Sequence, residues 1–131
     1  LAPVARRWKG QINELAKHWA QAEELPEADH NLLAGCEQPH QLGHETRLIF
    51  LSANSEHKRN QLRTRLTCQL MKEKKLDVEI FEADGSDRLS QMWTALHFGD
   101  YLAYYMAIAK NTDPTPIDVM IGLKKSLQNV S

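Results

Sequence analysis

The chain has 131 residues, 42% of them hydrophobic and 25% charged, which suits one ordinary domain with a packed core and excludes a disordered chain. Its formal net charge of −1 gives no general attraction to nucleic acid or to an anionic membrane, and no apolar run is long enough to cross a bilayer. Cys36 and Cys68 form no disulfide-rich framework, so we expect a cytoplasmic protein.

The first part of the chain predicts a long amphipathic helix. Over residues 4–24 the apolar positions recur at intervals of three and four, and Pro26 would end the helix. Their stripe includes Trp8, Ile12, Leu15 and Trp19. Residues 31–36 are a possible strand, and the glycines and proline of residues 35–46 indicate a loop.

The rest of the chain predicts two strands and three helices. Residues 47–52 and 78–83 are strand-like, and Ser55 is a candidate cap for the intervening helix. That helix is predicted to face inward through three leucines, Leu62, Leu66 and Leu70. A long helix is predicted over residues 88–110, and a last helix would begin with Pro116 at its first position and run to about residue 128.

Alternation of helix and strand predicts an α/β fold with a parallel sheet covered on both faces. Two clear strands make a thin sheet for so many helices. Because the chain begins Leu-Ala-Pro rather than Met, we expect residues 1–131 to be one domain of a longer chain, without its first strand.

Several polar residues are candidates for chemistry. Glu14 projects away from the apolar stripe, and His30 follows the chain reversal at Pro26. Read alone, each has an ordinary interpretation, a solvated helix glutamate and a loop hydrogen-bonder. Lys124 and Lys125 would likewise be surface lysines near a helix C-terminus.

Two other patterns are weaker. The spacing of Cys36, His40 and His44 permits a zinc site but matches no common zinc motif, so a polar loop is favoured. Residues 52–55 follow a strand and precede a helix, where they would either bind an anion or simply cap the helix.

Taken as an ordered set, four segments resemble the C-terminal half of the bifunctional phosphoglucose/phosphomannose isomerases, which are built from two sugar-isomerase (SIS) domains. They are ARRWKGQINELAK (residues 5–17), LPEADHN (25–31), FGDYLAYYMAIAKNTDPTPI (98–117) and LKKSL (123–127). The resemblance implies a three-layer, flavodoxin-like SIS fold.

The resemblance also implies roles for individual residues. Glu14 would be the base that moves a proton between C1 and C2 of the sugar, through an enediol. His30 would open the sugar ring, offered across a dimer interface, and Lys124 or Lys125 would approach the substrate. Imidazole and carboxylate groups suit these proton transfers, and neither a metal nor an organic cofactor is implied.

The implied function is the interconversion of glucose 6-phosphate and mannose 6-phosphate with fructose 6-phosphate. The implied partners are the N-terminal SIS domain of the same chain, which carries the Ser/Thr-rich phosphate loop, and a second copy in a homodimer. Without that loop, we expect the isolated chain to be inactive or nearly so. The alternatives are a non-catalytic sugar-phosphate-binding SIS module and a zinc-dependent mannose phosphate isomerase.

Overall fold

A computed structural model describes residues 1–37 and 42–128. The elements of these residues, in chain order, are α1 (Ala2–Glu14), α2 (Glu27–Gly35), α3 (Leu42–Glu45), β1 (Arg47–Ala53), α4 (Lys58–Glu73), β2 (Asp77–Ala83), α5 (Arg88–Ala109) and α6 (Asp118–Gln128). None of the helices so described is both long enough and apolar enough to cross a membrane.

The two strands form a parallel pair in the register Arg47↔Asp77 to Ala53↔Ala83, and α4 makes the crossover between them. Alternate residues of the strands face opposite layers. One face packs with α2 and α4, and the other with α1 and α5. The α/β fold with a parallel sheet between helical layers is therefore confirmed.

Helix α1 ends at Glu14, ten residues earlier than the predicted helix over residues 4–24, so that prediction was wrong beyond this point. The Asn13 side chain accepts a hydrogen bond from the N–H of Ala20 at 2.9 Å and donates one to its carbonyl at 3.2 Å. These bonds compete with continuation of the helix. Lys17 also has φ of +50°, which turns the chain, and Trp19 is left 80% exposed.

Residues 31–36 do not form the possible third strand, because residues 31–35 belong to α2. Glu27 and Asp29 occupy its first turn, where acidic side chains favour a helix. The Asp29 carboxylate accepts hydrogen bonds from Arg63 at 2.9 Å and Thr67 at 2.7 Å. These contacts fix α2 on α4. The predicted loop over residues 35–46 contains the short helix α3.

The predicted inward face of α4 was wrong. Its three leucines, Leu62, Leu66 and Leu70, are 49%, 52% and 47% exposed. The buried residues are instead Thr64, Thr67, Cys68 and Met71. Thr67 faces α2, where it donates to Asp29, and the leucine stripe lies on the outside.

The start of α4 also differs from the prediction. His57 is the N-cap, and its Nδ1 accepts from the N–H of Arg59 at 3.2 Å. Ser55 does not cap this helix. Its hydroxyl donates to Oε1 of the buried Gln91 at 2.6 Å, which ties the end of β1 to α5.

Helix α5 matches its predicted range to within one residue. Asp87 and Ser90 form a capping box at its start, and small residues at every fourth position make its buried face: Ala95, Gly99, Ala103 and Ala107. Helix α6 begins at Asp118, so Pro116 precedes the helix rather than standing at its first position.

Candidate functional site

Glu14 is the last residue of α1 and lines an open cavity of about 530 Å³. One wall comes from α1 and the turn that follows it, through residues 10, 13, 14 and 17–19. The opposite wall is formed by residues 116–120, at the start of α6. The cavity therefore lies where a helix carboxyl end meets the Asp-Pro-Thr-Pro segment.

Helix α1 is held on α5 by three side chains from two successive turns. The indole N–H of Trp8 donates to the carbonyl of Ala95 at 2.8 Å, inside the core. Gln11 donates to the Asp100 carboxylate at 2.7 Å, and Arg7 lies 3.5 Å from the same carboxylate. Because Glu14 follows Gln11 by one turn, these contacts determine the position from which its carboxylate projects.

Lys17 connects the two walls of the cavity. Its Nζ donates to the carbonyl of Glu14 at 2.6 Å and to the carbonyl of Pro114 at 3.2 Å. In the same segment the Asp113 carboxylate accepts from the N–H of Thr115 at 2.8 Å. Bonds from the backbone and hydroxyl of Thr115, with the charge of Lys17, lower the pKa of Asp113.

Because the pKa of Asp113 is lowered, the stabilising contribution of its carboxylate changes with pH in a definite direction. A carboxyl group with a lowered folded-state pKa stabilises the structure at pH values above its ordinary pKa. That contribution is lost as the pH falls through the lowered value. We therefore expect the Asp113–Thr115 turn to weaken on acidification.

His30 does not line the Glu14 cavity. It is exposed on α2, and α2 belongs to the layer on the opposite face of the sheet from α1. The bonds of its neighbour Asp29 to α4 leave His30 facing solvent. Within one copy of the chain, Glu14 and His30 are therefore not brought together.

Lys124 and Lys125 are exposed on α6. The first turn of this helix reaches the cavity through Asp118, Val119 and Met120, but neither lysine is among the lining residues. The structure thus brings the beginning of α6 to Glu14 and leaves the two lysines further along it.

Comparison with known proteins identifies the same family as the four ordered sequence segments. Residues 1–127 match the family described as "Bacterial phospho-glucose isomerase C-terminal SIS domain". The chain belongs to this family. Membership confirms the resemblance to SIS domains. The matched range includes both Glu14 and the Asp-Pro-Thr-Pro segment.

Curated relatives of this SIS domain bear the name bifunctional phosphoglucose/phosphomannose isomerase. The protein from Caldicellulosiruptor bescii is 33% identical over 127 residues, 97% of this chain and 38% of the relative. That from Aquifex aeolicus is 28% identical over 97% of this chain and 39% of its own length. That from Thermoplasma acidophilum is 30% identical over 95% and 38%. The chain spans about two-fifths of the length of these relatives.

Three residues in the wall of this SIS domain's cavity were missed by sequence reasoning, namely Lys17, His18 and Trp19. The predicted helix would have continued through all three. One signal was available, because Asn13 is a residue type that bonds to nearby backbone and ends helices. The bond from Lys17 to Pro114 joins residues that are 97 positions apart, so the spacing of nearby residues could not predict it.

The zinc alternative falls partly outside the described residues, since it includes His40 and the side chain of His44. Burial raises the pKa of the Cys36 thiol, which the charge of nearby Lys74 partly opposes. Elsewhere in the described ranges, no three His, Cys, Asp or Glu side chains cluster closely enough to hold a metal ion.

The anion-site interpretation of residues 52–55 is replaced by an internal network. Both the N–H and the hydroxyl of Ser55 donate to Oε1 of Gln91. The Gln91 amide group in turn donates to the carbonyl of Gly85 at 2.9 Å and to the side chain of Asn54. These groups join the carboxyl ends of the two strands to α5, so the N–H and hydroxyl donors of Ser55 are already used.

Proposed function

We propose that this chain is the C-terminal SIS domain of an isomerase that interconverts glucose 6-phosphate and mannose 6-phosphate with fructose 6-phosphate, without a metal or cofactor. The family match over residues 1–127 carries this proposal. The names of the relatives support the substrate class. The position of Glu14 in an open cavity supports a residue that meets a small molecule.

In the proposed mechanism Glu14 is the general base. Its carboxylate removes the proton from the carbon next to the carbonyl of the open-chain sugar while the carbonyl oxygen gains a proton, which gives an enediol. The carboxylate then returns its proton to the former carbonyl carbon while the hydroxyl group on the other carbon loses its proton, so that the enediol links aldose and ketose. Glucose 6-phosphate and mannose 6-phosphate give the same enediol, because they differ only at C2. One site that tolerates both configurations at C2 therefore serves both sugars.

His30 is the proposed ring-opening residue. Opening the hexose ring requires proton transfer between the ring oxygen and a hydroxyl group, a reaction suited to imidazole near neutral pH. Since His30 is exposed and lies on the opposite layer from Glu14, it would serve the site of a second copy. Lys124 or Lys125 would contact the substrate.

The complete enzyme would be a cytoplasmic homodimer whose N-terminal SIS domain supplies the phosphate-binding loop. On this proposal the 131-residue chain alone holds the base but not the phosphate site. Full isomerase turnover by the isolated chain, in a coupled assay with fructose 6-phosphate, would contradict it.

The direct test is Glu14→Gln in the full-length protein that contains this domain. Glutamine keeps the size and loses the basic carboxylate, so we expect kcat to fall by about 10²–10⁴-fold, the usual contribution of a general base. Binding of fructose 6-phosphate should survive. The matched control is Glu23→Gln, an exposed glutamate outside the cavity, which should keep wild-type turnover.

Three further outcomes separate the alternative functions. Sugar-phosphate binding without turnover in the wild-type protein would favour the regulatory module. Wild-type turnover in Glu14→Gln would exclude Glu14 as the base and overturn the proposed mechanism. Loss of turnover on treatment with a chelator would favour the zinc-dependent isomerase.

A further inference from the structure

Lys17 combines an unfavourable backbone conformation with an unusual set of hydrogen bonds. Its φ of +50° lies in the left-handed region, which glycine and asparagine adopt more readily than lysine. Its ammonium group nevertheless bridges two carbonyls from distant parts of the chain, those of Glu14 and Pro114. The lysine side chain provides a bridging ammonium group, which a glycine or asparagine at the same turn would lack.

The first bond caps the end of α1. The last carbonyls of a helix have no partner within it, and a positive charge at that end is favourable. Here the capped carbonyl belongs to Glu14 itself. The ammonium group therefore holds the backbone of the residue whose carboxylate lines the cavity.

The second bond attaches the opposite wall. Pro114 lies in the Asp-Pro-Thr-Pro segment, 97 residues from Lys17 along the chain, and this segment leads into residues 116–120 of the cavity. The neighbouring Asp113 has a carboxylate that faces the Lys17 charge and the Thr115 N–H. One ammonium group thus fixes the distance between the two walls.

We propose that Lys17 is a positioning residue for Glu14, holding its backbone at a set distance from the Asp-Pro-Thr-Pro segment and so from a substrate between the walls. This inference rests on the proposed function, in which Glu14 is the base. Proton transfer needs the carboxylate within hydrogen-bond reach of the carbon-bound proton. Misplacement by about 1 Å can cost about 10²-fold in rate.

The test compares two substitutions in the full-length protein. Lys17→Asn suits the left-handed backbone but removes the bridging ammonium, whereas Lys17→Arg keeps the charge and the donors. For Lys17→Asn we expect kcat to fall by about 10–100-fold, while KM changes by less than about threefold and the melting temperature does not fall. Lys17→Arg should recover most of kcat. The control is Lys58→Met, at an exposed position at the start of α4.

An activity-independent measurement accompanies the kinetics. Amide hydrogen exchange at Thr115 should quicken in Lys17→Asn, because the segment loses its attachment to α1, and should stay near wild type in Lys17→Arg and Lys58→Met. This reports the link between the walls without reference to turnover.

Three outcomes would overturn the inference. The first is wild-type kcat in Lys17→Asn while Glu14→Gln is inactive, which leaves the proposed function standing. The second is a loss of kcat that follows a lowered melting temperature and is equal in Lys17→Asn and Lys17→Arg, which indicates a purely structural role. The third is wild-type turnover in Glu14→Gln, which removes the proposed function first and the role of Lys17 with it.

Discussion

Gly99 lets the Trp8 side chain of α1 pack directly against the backbone of α5. A Cβ atom at this position would overlap the indole ring of Trp8, whose N–H must reach the carbonyl of Ala95. The absence of a side chain therefore lets a large aromatic residue enter the core between two helices. Since Glu14 lies less than two turns beyond Trp8 on the same helix, this contact also supports the cavity.

We predict that Gly99→Ala destabilises the protein. Overpacking a filled site costs about 1–3 kcal/mol, and a displaced Trp8 would also lose its hydrogen bond. The gain in helix propensity from Gly to Ala, up to about 1 kcal/mol, offsets only part of this. The free energy of unfolding, measured in urea, should fall.

The matched control for Gly99→Ala is Gly10→Ala in α1. A Cβ atom on Gly10 would meet nothing within 4 Å, so only the gain in helix propensity should remain and the protein should be slightly more stable. Equal stability changes in the two variants would contradict the packing argument.

At the scale of elements, α4 presents its threonines, Cys68 and Met71 to the core and its leucines outward. We predict that Met71→Ala, at a position 1% exposed, costs about 2–5 kcal/mol of unfolding free energy. Leu66→Ala, at a position 52% exposed, should cost much less, because most of its side chain already contacts water. If urea unfolding showed a larger loss of unfolding free energy in Leu66→Ala than in Met71→Ala, the leucines would form the inward face, as the sequence predicted.

The elements differ in how far their own residues determine them. Both strands and α5 were predictable because their signals are local, namely an apolar run in β1, apolar alternation in β2 and the apolar residues of the long helix. The end of α1 was not, since it depends on Asn13 bonding to Ala20. The inward face of α4 includes Thr67, whose partner Asp29 lies 38 residues away along the chain.

The same distinction applies to the candidate site. Ordered motifs identified the family and singled out Glu14, because a motif is a property of sequence alone. They gave no indication that Lys17 and Trp19 share its cavity, because that follows from the turn after α1. The wall formed by residues 116–120 required the tertiary fold.

At the scale of the whole molecule, the proposed homodimer and the separation of Glu14 and His30 together predict complementation between subunits. In the full-length protein, Glu14→Gln and His30→Ala should each be nearly inactive as homodimers. A mixed dimer would have one site with both intact residues if His30 serves the other subunit. After unfolding and refolding together in equal amounts, about a quarter of wild-type activity should return.

No recovery of activity in mixed dimers would contradict a shared site. The control is a mixture of Glu14→Gln with wild type, which should follow simple dilution of wild-type sites. Mass measurement of the refolded sample establishes that mixed dimers have formed.

The three tryptophans differ sharply in their surroundings, with Trp8 5%, Trp93 61% and Trp19 80% exposed. Trp8 reports on the core, and Trp93 on the outer side of α5. Trp19 lines the Glu14 cavity, where a molecule that enters would change the water around its indole. With Trp93→Phe in place, quenching of fluorescence by acrylamide would act mainly on Trp19, so the protein carries its own optical reporter of cavity occupancy.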